Sequence, residues 1–372
     1  MTPIRVGFVG LSQSGWASYT LAPPLLQPPL SASYVLTAIS TSNPTSASAS
    51  AGNYSKLTGR TIKAYHGPTT GIANDEVVDM VAVAVRAPYH KETALPVIQA
   101  GKDLFIEWPA GRTLAETKEL AEAAKCRGVR TLVGSQARQS GLIRELKGVI
   151  DSGKIGRVLS TTVTARPHRE LFAWGPYISE GAKYTASIGE GATMLDIAVG
   201  HFLDGLLYLL GPFSSISAVL ENQFPTTQIV DSTGKPTGET IPQTAANQVM
   251  IIGTLERGAV VSMHWRGGLE TRGGKAGTPF MWTIDGEKGS IRVESDEPSG
   301  SFVHVRTPAS YFLNGEEVKV KVKDGLSNSA RAWAEFAKGP DGDYSTLDDA
   351  VRTKTLLDAA TRSAAEGKRI DL

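Results

Sequence analysis

The sequence predicts an α/β chain of two domains: a parallel, doubly wound sheet first, then an α+β domain carrying a large, mostly antiparallel open sheet. Three observations predict it. The first third alternates short apolar runs with helix-length segments, the pattern of β-α-β units. The stretch from about residue 216 to 322 is a succession of β-branched or alternating runs set off by turn residues. The length, 372 residues, exceeds one ordinary core and falls short of three. The expected boundaries are 1–134 for the parallel domain, 135–345 for the α+β domain, and 346–372 for a C-terminal helix packing back on the domains.

Taken in order, residues 4–9, 35–39, 80–85, 104–106 and 131–133 read as buried strands, being short, apolar and rich in Val and Ile. Residues 93–100 and 114–124 have helical periodicity, and Gly101 and Gly128 follow them where a helix end favours a left-handed residue. The Ser/Ala-rich stretch 40–55 fits either a flexible segment or the second helix of the parallel domain. Beyond Gly134 the pattern predicts a helix over 142–152, a strand over 157–165 and one long helix over 194–210, closed by Gly211-Pro212. Strands follow at 216–221, 247–255, 259–265, 280–284, 290–294, 302–306 and 318–322. Residues 346–366 return to helical spacing, with an apolar stripe that Lys354 interrupts.

A formal net charge of +1, and no long Lys/Arg run, provide no electrostatic footprint for nucleic acid or an anionic membrane. The single cysteine, Cys126, excludes an internal disulfide and reads as a packed thiol in a reducing compartment. No stretch approaches eighteen apolar residues, and the first strand begins too early for a secretory leader, so the expected location is the cytoplasm.

The segment from Ile4 to Ala17 is a strand, a tight turn and a helix start, with Gly10 and Gly15 at the first and third positions of G-x-G-x-x-G. That context points to a dinucleotide-binding Rossmann domain. Ser12 holds the middle position, where glycine normally lets the backbone approach a pyrophosphate, so it either bonds a phosphate or pushes the cofactor outward. The second strand ends in Ser40, Thr41 and Ser42, with no acid for a ribose 2′-hydroxyl; the three hydroxyls can accommodate a 2′-phosphate, and although no Arg is adjacent the balance leans modestly to NADP over NAD.

Two segments carry a family resemblance: Val77 to His90, and Ala100 to Pro109 with its Glu107-Trp108-Pro109. Through them the chain resembles, over nearly its whole length, the glucose-fructose oxidoreductase/inositol dehydrogenase (Gfo/Idh/MocA) family. Val6 to Leu11, Gly15 to Ala17, Phe105 to Trp108, Gln136 to Arg138 and Gly200-His201 look most like its fungal galactose-regulon repressor branch. The resemblance implies that Leu11, Trp16, Arg86, His90, Glu107 and Trp108 join the turn residues around the cofactor, and that Arg138 faces the substrate, although an Arg there equally suits capping helix carbonyls. It also implies a homodimer or tetramer built on the open face of the C-terminal sheet. The family usually has Lys after the Glu; here Trp108 stands in its place, and an indole cannot act as acid or base. The family also places an Asp four residues before a His, whereas Asp196 lies five before His201.

Hydride transfer to or from a carbonyl needs a proton donor or acceptor at the reacting oxygen, and His201 is the first candidate, against the alternative of a hydrogen-bonded structural residue of the helix. Asp204, about one turn later, either orients it or faces solvent and is grouped with the substrate contacts. Lys183 and Tyr184 are candidate replacement acids and Glu190 a candidate contact, against the alternative of a solvated loop. The aromatic segment 166–177, with Trp174, suits a carbohydrate-like ring as well as a loop tucked on the sheet. No metal-ligand spacing is present.

Two functions follow. The first is an NAD(P)-dependent oxidoreductase acting on a sugar, polyol or related hydroxyl/carbonyl compound. The alternative is a non-catalytic, NAD(P)-binding transcriptional regulator with a protein partner, which the loss of the lysine favours.

Overall fold

Six short strands build the first sheet: β1 (Ile4–Val9), β2 (Tyr34–Thr41), β3 (Lys63–His66), β4 (Met80–Val83), β5 (Asp103–Ile106) and β6 (Thr131–Val133). In the computed structural model, which describes residues 2–270, 277–321 and 324–372, they lie in the order β3-β2-β1-β4-β5-β6 and are all parallel. This is the doubly wound order, whose chain reversal falls beside β1, where such sheets bind dinucleotides. The Ser/Ala-rich stretch is a helix, α1 (Pro44–Thr58), capped by Asn43, whose side chain accepts from the Ser46 N–H at 2.9 Å, and closed by left-handed Gly59. A single turn α2 (Thr70–Ala73) and two longer helices, α3 (His90–Gln99) and α4 (Leu114–Arg127), complete the crossovers. Cys126 sits on α4 with its thiol exposed, so the packed position expected for it is corrected.

The helix expected after the glycine turn does not form. Ala17–Leu21 is one π-turn, followed by 3-10 turns at Pro23–Leu26 and Leu30–Ala32. Pro23, Pro24, Pro28 and Pro29 supply no backbone N–H, so an α ladder cannot continue through them.

The chain divides into two compact units, each discontinuous in sequence: 1–136 with 326–352, and 137–325 with 353–372. Expected boundaries at 134 and 345 miss this exchange. Helix Asn328–Ala337 belongs to the first unit because Trp333 stacks on Phe105 at 4.7 Å and the Tyr34 hydroxyl donates to the Trp333 carbonyl at 2.7 Å. The segment after it is tied in by the Val133 N–H, which donates to the Ser345 carbonyl at 2.8 Å. The final helix, Leu347–Glu366, runs from the first unit's sequence into the second's.

In the second unit the strands are β7 (Val158–Ala165), β8 (Tyr177–Ser179), β9 (Phe213–Glu221), β10 (Thr226–Val230), β11 (Pro236–Pro242), β12 (Gln248–Leu255), β13 (Val260–Arg266), β14 (Phe280–Gly286), β15 (Gly289–Ser295), β16 (Ser310–Leu313), β17 (Glu316–Lys319) and β18 (Ile370–Asp371). Nine of them form one sheet in the order β17-β16-β15-β14-β7-β13-β12-β9-β18, antiparallel except for the β7–β13 pair. A small sheet β11-β10-β8 stands apart. Period-two alternation buries Val163, Ile251, Trp265, Trp282 and Ile291 on one face of the large sheet and leaves Val219, Met250, Ile252, Val260 and Met281 exposed on the other. Helices α5 (Gly141–Asp151) and α6 (Gly200–Leu210) accompany it. Phe202 of α6 meets the rings of Trp282, Trp265 and Phe280 at 5.0, 5.9 and 6.1 Å.

Two expectations change here. Residues 302–306 are turns rather than a strand; Val303 and Val305 gave the run its strand-like composition. The long helix expected over 194–210 begins as a π-turn, Leu195–Val199, before α6. Of the strand expected over 318–322, β17 covers the start, and Val322 lies outside the described residues.

Candidate functional site

In the first unit, Gly10 has φ +95° and its N–H donates to the Ser40 carbonyl at 2.9 Å. A Cβ at this position would fall 2.6 Å from the Ala84 carbonyl oxygen, so only glycine fits between β1 and the segment after β4. Gly15 has φ +120° with open space where its side chain would be. Between them the Ser12 hydroxyl donates to the Ser14 carbonyl, within the turn. The turn is therefore pre-shaped and open above Gly15, which fits the phosphates of a dinucleotide. It lacks a long following helix, so backbone N–H groups rather than a helix dipole would hold them.

Leu11 is core, and its carbonyl accepts from the Ser50 hydroxyl at 2.7 Å. Ser40 is 1% exposed and Thr41 8%, so β2 presents Ser42 and Asn43, rather than the expected Ser40 and Thr41, as its outward polar groups. Arg86 is exposed, beyond the end of β4. His90, expected at the cofactor, is instead a buried fastener: Nδ1 lies 2.7 Å from the Pro109 carbonyl and Nε2 2.9 Å from that of Val85. Burial holds this imidazole below its usual value, against the pull of the Pro109 and Val85 carbonyls.

Glu107, directly after β5, is a buried carboxyl whose Oε1 accepts from Trp16 Nε1 at 3.0 Å. Burial pushes it up to about 7, against the pull of the Trp16 bond. The carboxyl fits because residue 134 is glycine; a Cβ there would lie 2.5 Å from Glu107 Oε2. Trp108 is buried and joined to Pro109 by a cis peptide bond.

In the second unit a run of aromatic rings links two of the expected residues. His201, on the first turn of α6, stacks on His304 with centroids 4.0 Å apart and planes within 2°. His304 meets Phe302 edge-on at 5.8 Å, and Phe302 meets Trp174 at 6.4 Å. Burial holds both imidazoles below their usual value, His304 down to about 3 and His201 well below, with His304 adding to the effect on His201. Trp174 is buried in a left-handed conformation, φ +57°, and the half-buried Phe172 is left-handed too, at +53°. The Trp174 indole N–H has no acceptor among the described residues. A buried unused donor on a strained backbone is the kind of feature that collects at binding sites. Phe302 and His304 went unnoticed in the sequence because their run was assigned to a strand.

Arg138 and Asp204 spend their charges on each other: Nη2 donates to Oδ1 at 2.6 Å and Nε to Oδ2 at 3.2 Å, both residues being buried. Lys183 is bound elsewhere. Its ammonium lies 2.8 Å from Glu180 and 2.9 Å from Glu239 beside the small sheet, and the Glu180 and Glu239 bonds hold it above its usual value. The solvated-loop alternative thus describes Lys183, a correction to its candidacy as acid. Tyr184 follows in the same 3-10 turn and Glu190 ends the next; both are half-buried.

The π-turn resolves the Asp196 spacing. The Val199 N–H reaches the Met194 carbonyl five residues back, and Gly200 reaches Leu195 likewise. In a π-turn residues five apart share a face, as residues four apart do in an α-helix, so the extra residue is absorbed and Asp196 lies on the His201 face. Its Oδ2 accepts from the Thr193 hydroxyl at 2.8 Å and N–H at 3.1 Å, and its Oδ1 from Lys354 Nζ at 2.6 Å. Among the described residues no cluster has the make-up of a metal site, and no helix is long and apolar enough to cross a membrane.

These features define a nucleotide-binding oxidoreductase fold joined to an α+β domain with a polar, aromatic-lined interior. Residues 4–135 match the model of the oxidoreductase family with an NAD-binding Rossmann fold, and residues 142–295 match the Gal80p C-terminal domain. The chain is 32% identical to dehydrogenase aclE of Aspergillus oryzae over 98% of its own length and 97% of that protein. It is 31% identical to the galactose/lactose metabolism regulatory protein GAL80 of Saccharomyces cerevisiae, over 79% of this chain and 67% of that one. The crystal structure of a super-repressor mutant of Gal80p from the same yeast superposes with a TM-score of 0.86 at 26% identity, covering 99% of this chain and 98% of that one. The chain belongs to the Gfo/Idh/MocA oxidoreductase family, with a C-terminal domain of the Gal80p type.

Proposed function

We propose that the protein is an NAD(P)-dependent oxidoreductase acting on a sugar, polyol or related hydroxyl/carbonyl compound. The observation that carries this reading is the ring series from Trp174 to His201, with an unused indole N–H at one end and a buried imidazole at the other. Aromatic faces pack against the C–H faces of a sugar, while Trp174 Nε1 donates to one of its oxygens. When bound, the nicotinamide gives or takes the hydride. His201, held neutral, accepts the proton of a substrate hydroxyl in the oxidation direction and returns it in the reverse direction. Arg138 and Asp204 act as a pair that fixes α6 beneath it. The dinucleotide lies on the Gly10–Gly15 turn, beside Trp16 and Glu107. NADP is favoured because the turn after β2 presents Ser42 and Asn43 and no acid. We place the protein in the cytoplasm as a homodimer formed through Val219, Met250, Ile252, Val260 and Met281 on the exposed face of the large sheet.

One observation favours the regulator instead: Trp108 stands where the family carries its lysine, in a chain whose C-terminal domain is of the Gal80p type. The two readings separate in one experiment. Purified protein is titrated with NADPH and NADH by fluorescence, then assayed at the reduced-nicotinamide band against sugars, polyols, sugar acids and ketones. Turnover of any panel member supports the enzyme; tight cofactor binding without turnover overturns it in favour of the regulator.

A further inference from the structure

We infer that Lys354 is a positioning residue of the candidate site: its ammonium, set into the apolar stripe of the final helix, fixes Asp196 and through it the π-turn that carries His201. The inference rests on the hydride-transfer reading for its kinetic consequence but not for its structural one.

Lys354 is the single lysine in the buried class among the described residues, at 3% exposure. Its neighbours on the stripe, Leu357, Ala350 and Ala360, are apolar and buried, so an apolar side chain would fit the helix better. Taking an ammonium and a carboxylate out of water is costly, and a well-packed apolar pair is often as stable or more so. An ammonium buried at such a place, against a half-buried carboxylate, needs a reason beyond stability.

That reason lies in what Asp196 holds. Its Oδ2 accepts from the Thr193 N–H and hydroxyl, its own N–H donates back to the Thr193 hydroxyl oxygen at 3.3 Å, and its Oδ1 takes the Lys354 ammonium at 2.6 Å. With both oxygens fixed, the carboxylate anchors the first residues of the π-turn, and the π-turn sets the rotation at which α6 starts and His201 projects. A π-turn is a single-turn irregularity that relaxes readily to α-helical bonding, with a one-residue rotation of everything after it. The Thr193–Asp196–Lys354 set opposes that relaxation from outside the helix. His201 is then locked from two sides: by the His304 stack on its ring and by the Asp196 anchor below its backbone.

The test compares the full-length wild type with Lys354→Met, Lys354→Arg and the apolar double variant Asp196→Leu/Lys354→Met. All are labelled at the histidine ring carbons; with six histidines in the chain, the His201 cross-peak is identified by its loss in His201→Gln. Circular dichroism and urea unfolding establish which variants are folded. The expected result is a displaced His201 ring resonance in the folded Met and double variants, with Lys354→Arg returning it toward the wild-type position. With any substrate found active, kcat should fall on the order of a hundredfold while KM changes little, as misplacement of a reacting group demands. A His201 resonance unmoved in the folded double variant overturns the inference. If the wild type turns over no substrate, the hydride-transfer reading alone fails, and the resonance still decides the role of Lys354.

Discussion

The imidazoles of His201 and His304 lie face to face, 4.0 Å between centroids and 2° between planes, in a buried setting that keeps both uncharged. Two stacked rings at this distance cannot both carry a proton without strong repulsion. The pair is therefore neutral at physiological pH.

A consequence is measurable as stability. An unfolded histidine titrates near 6.5, whereas in the folded protein His304 holds out to about 3 and His201 is also well below its usual value. Below pH 6.5 the unfolded chain binds more protons, so stability should fall as pH drops from 6.5 toward 3, by up to ~1.4 kcal/mol per pH unit for each ring. His304→Phe keeps a stacking ring and removes one titration. Urea midpoints at pH 7, 5 and 4 should show a shallower decline for the variant; identical slopes would refute the buried neutral pair.

Glu107 behaves oppositely. Its carboxyl titrates at about 7 in the folded protein against 4.5 ordinarily, so the stability it contributes is complete below 4.5 and is lost as pH rises through 7. Glu107→Gln keeps an acceptor for Trp16 and removes the buried charge. At pH 8 it should unfold later than the wild type, by up to roughly 3 kcal/mol, and at pH 4 should show no such gain. Gains equal at both pH values would mean that the carboxyl is not held protonated.

Gly10→Ala should destabilise the protein without any ligand present. The left-handed backbone alone costs about 1–3 kcal/mol, and the methyl would collide with the Ala84 carbonyl. Gly15→Ala meets nothing and should be milder, with its main effect on dinucleotide affinity. Chemical unfolding together with calorimetric titration of NADPH separates the two, and equal losses of stability would contradict the geometry of the turn.

Arg138→Met should cost about 3–5 kcal/mol, because it removes the guanidinium paired with the buried Asp204 carboxylate. Adding Asp204→Leu should recover most of that loss. A double variant no more stable than Arg138→Met would show that the two residues matter through other contacts.

Much of this was legible in the sequence because periodicity and glycine placement are local signals. The parallel sheet followed from Val/Ile runs at helix-length spacing, and the helix ends from Gly101 and Gly128. What escaped was set by contacts distant in the chain or by irregular backbone. Trp333 declares its allegiance to Phe105 only when the fold brings them together. His304 was hidden in a run that composition assigned to a strand. The prolines after Trp16 were visible and give a sufficient reason why no long helix follows the turn, but the glycine motif outweighed them. Asp196 stood one residue out of place, and spacing alone cannot reveal a π-turn.

The exchange of segments between the two units has a consequence for synthesis. Residues 1–136 leave the ribosome long before 326–352, yet Trp333 is the aromatic centre against which Phe8, Tyr34 and Phe105 pack. The first unit must therefore wait, with a hydrophobic hollow on one side of its sheet, until nearly the whole chain has been made. Its maturation is a late event rather than an early one, and a nascent chain stalled before residue 326 would present that hollow to chaperones.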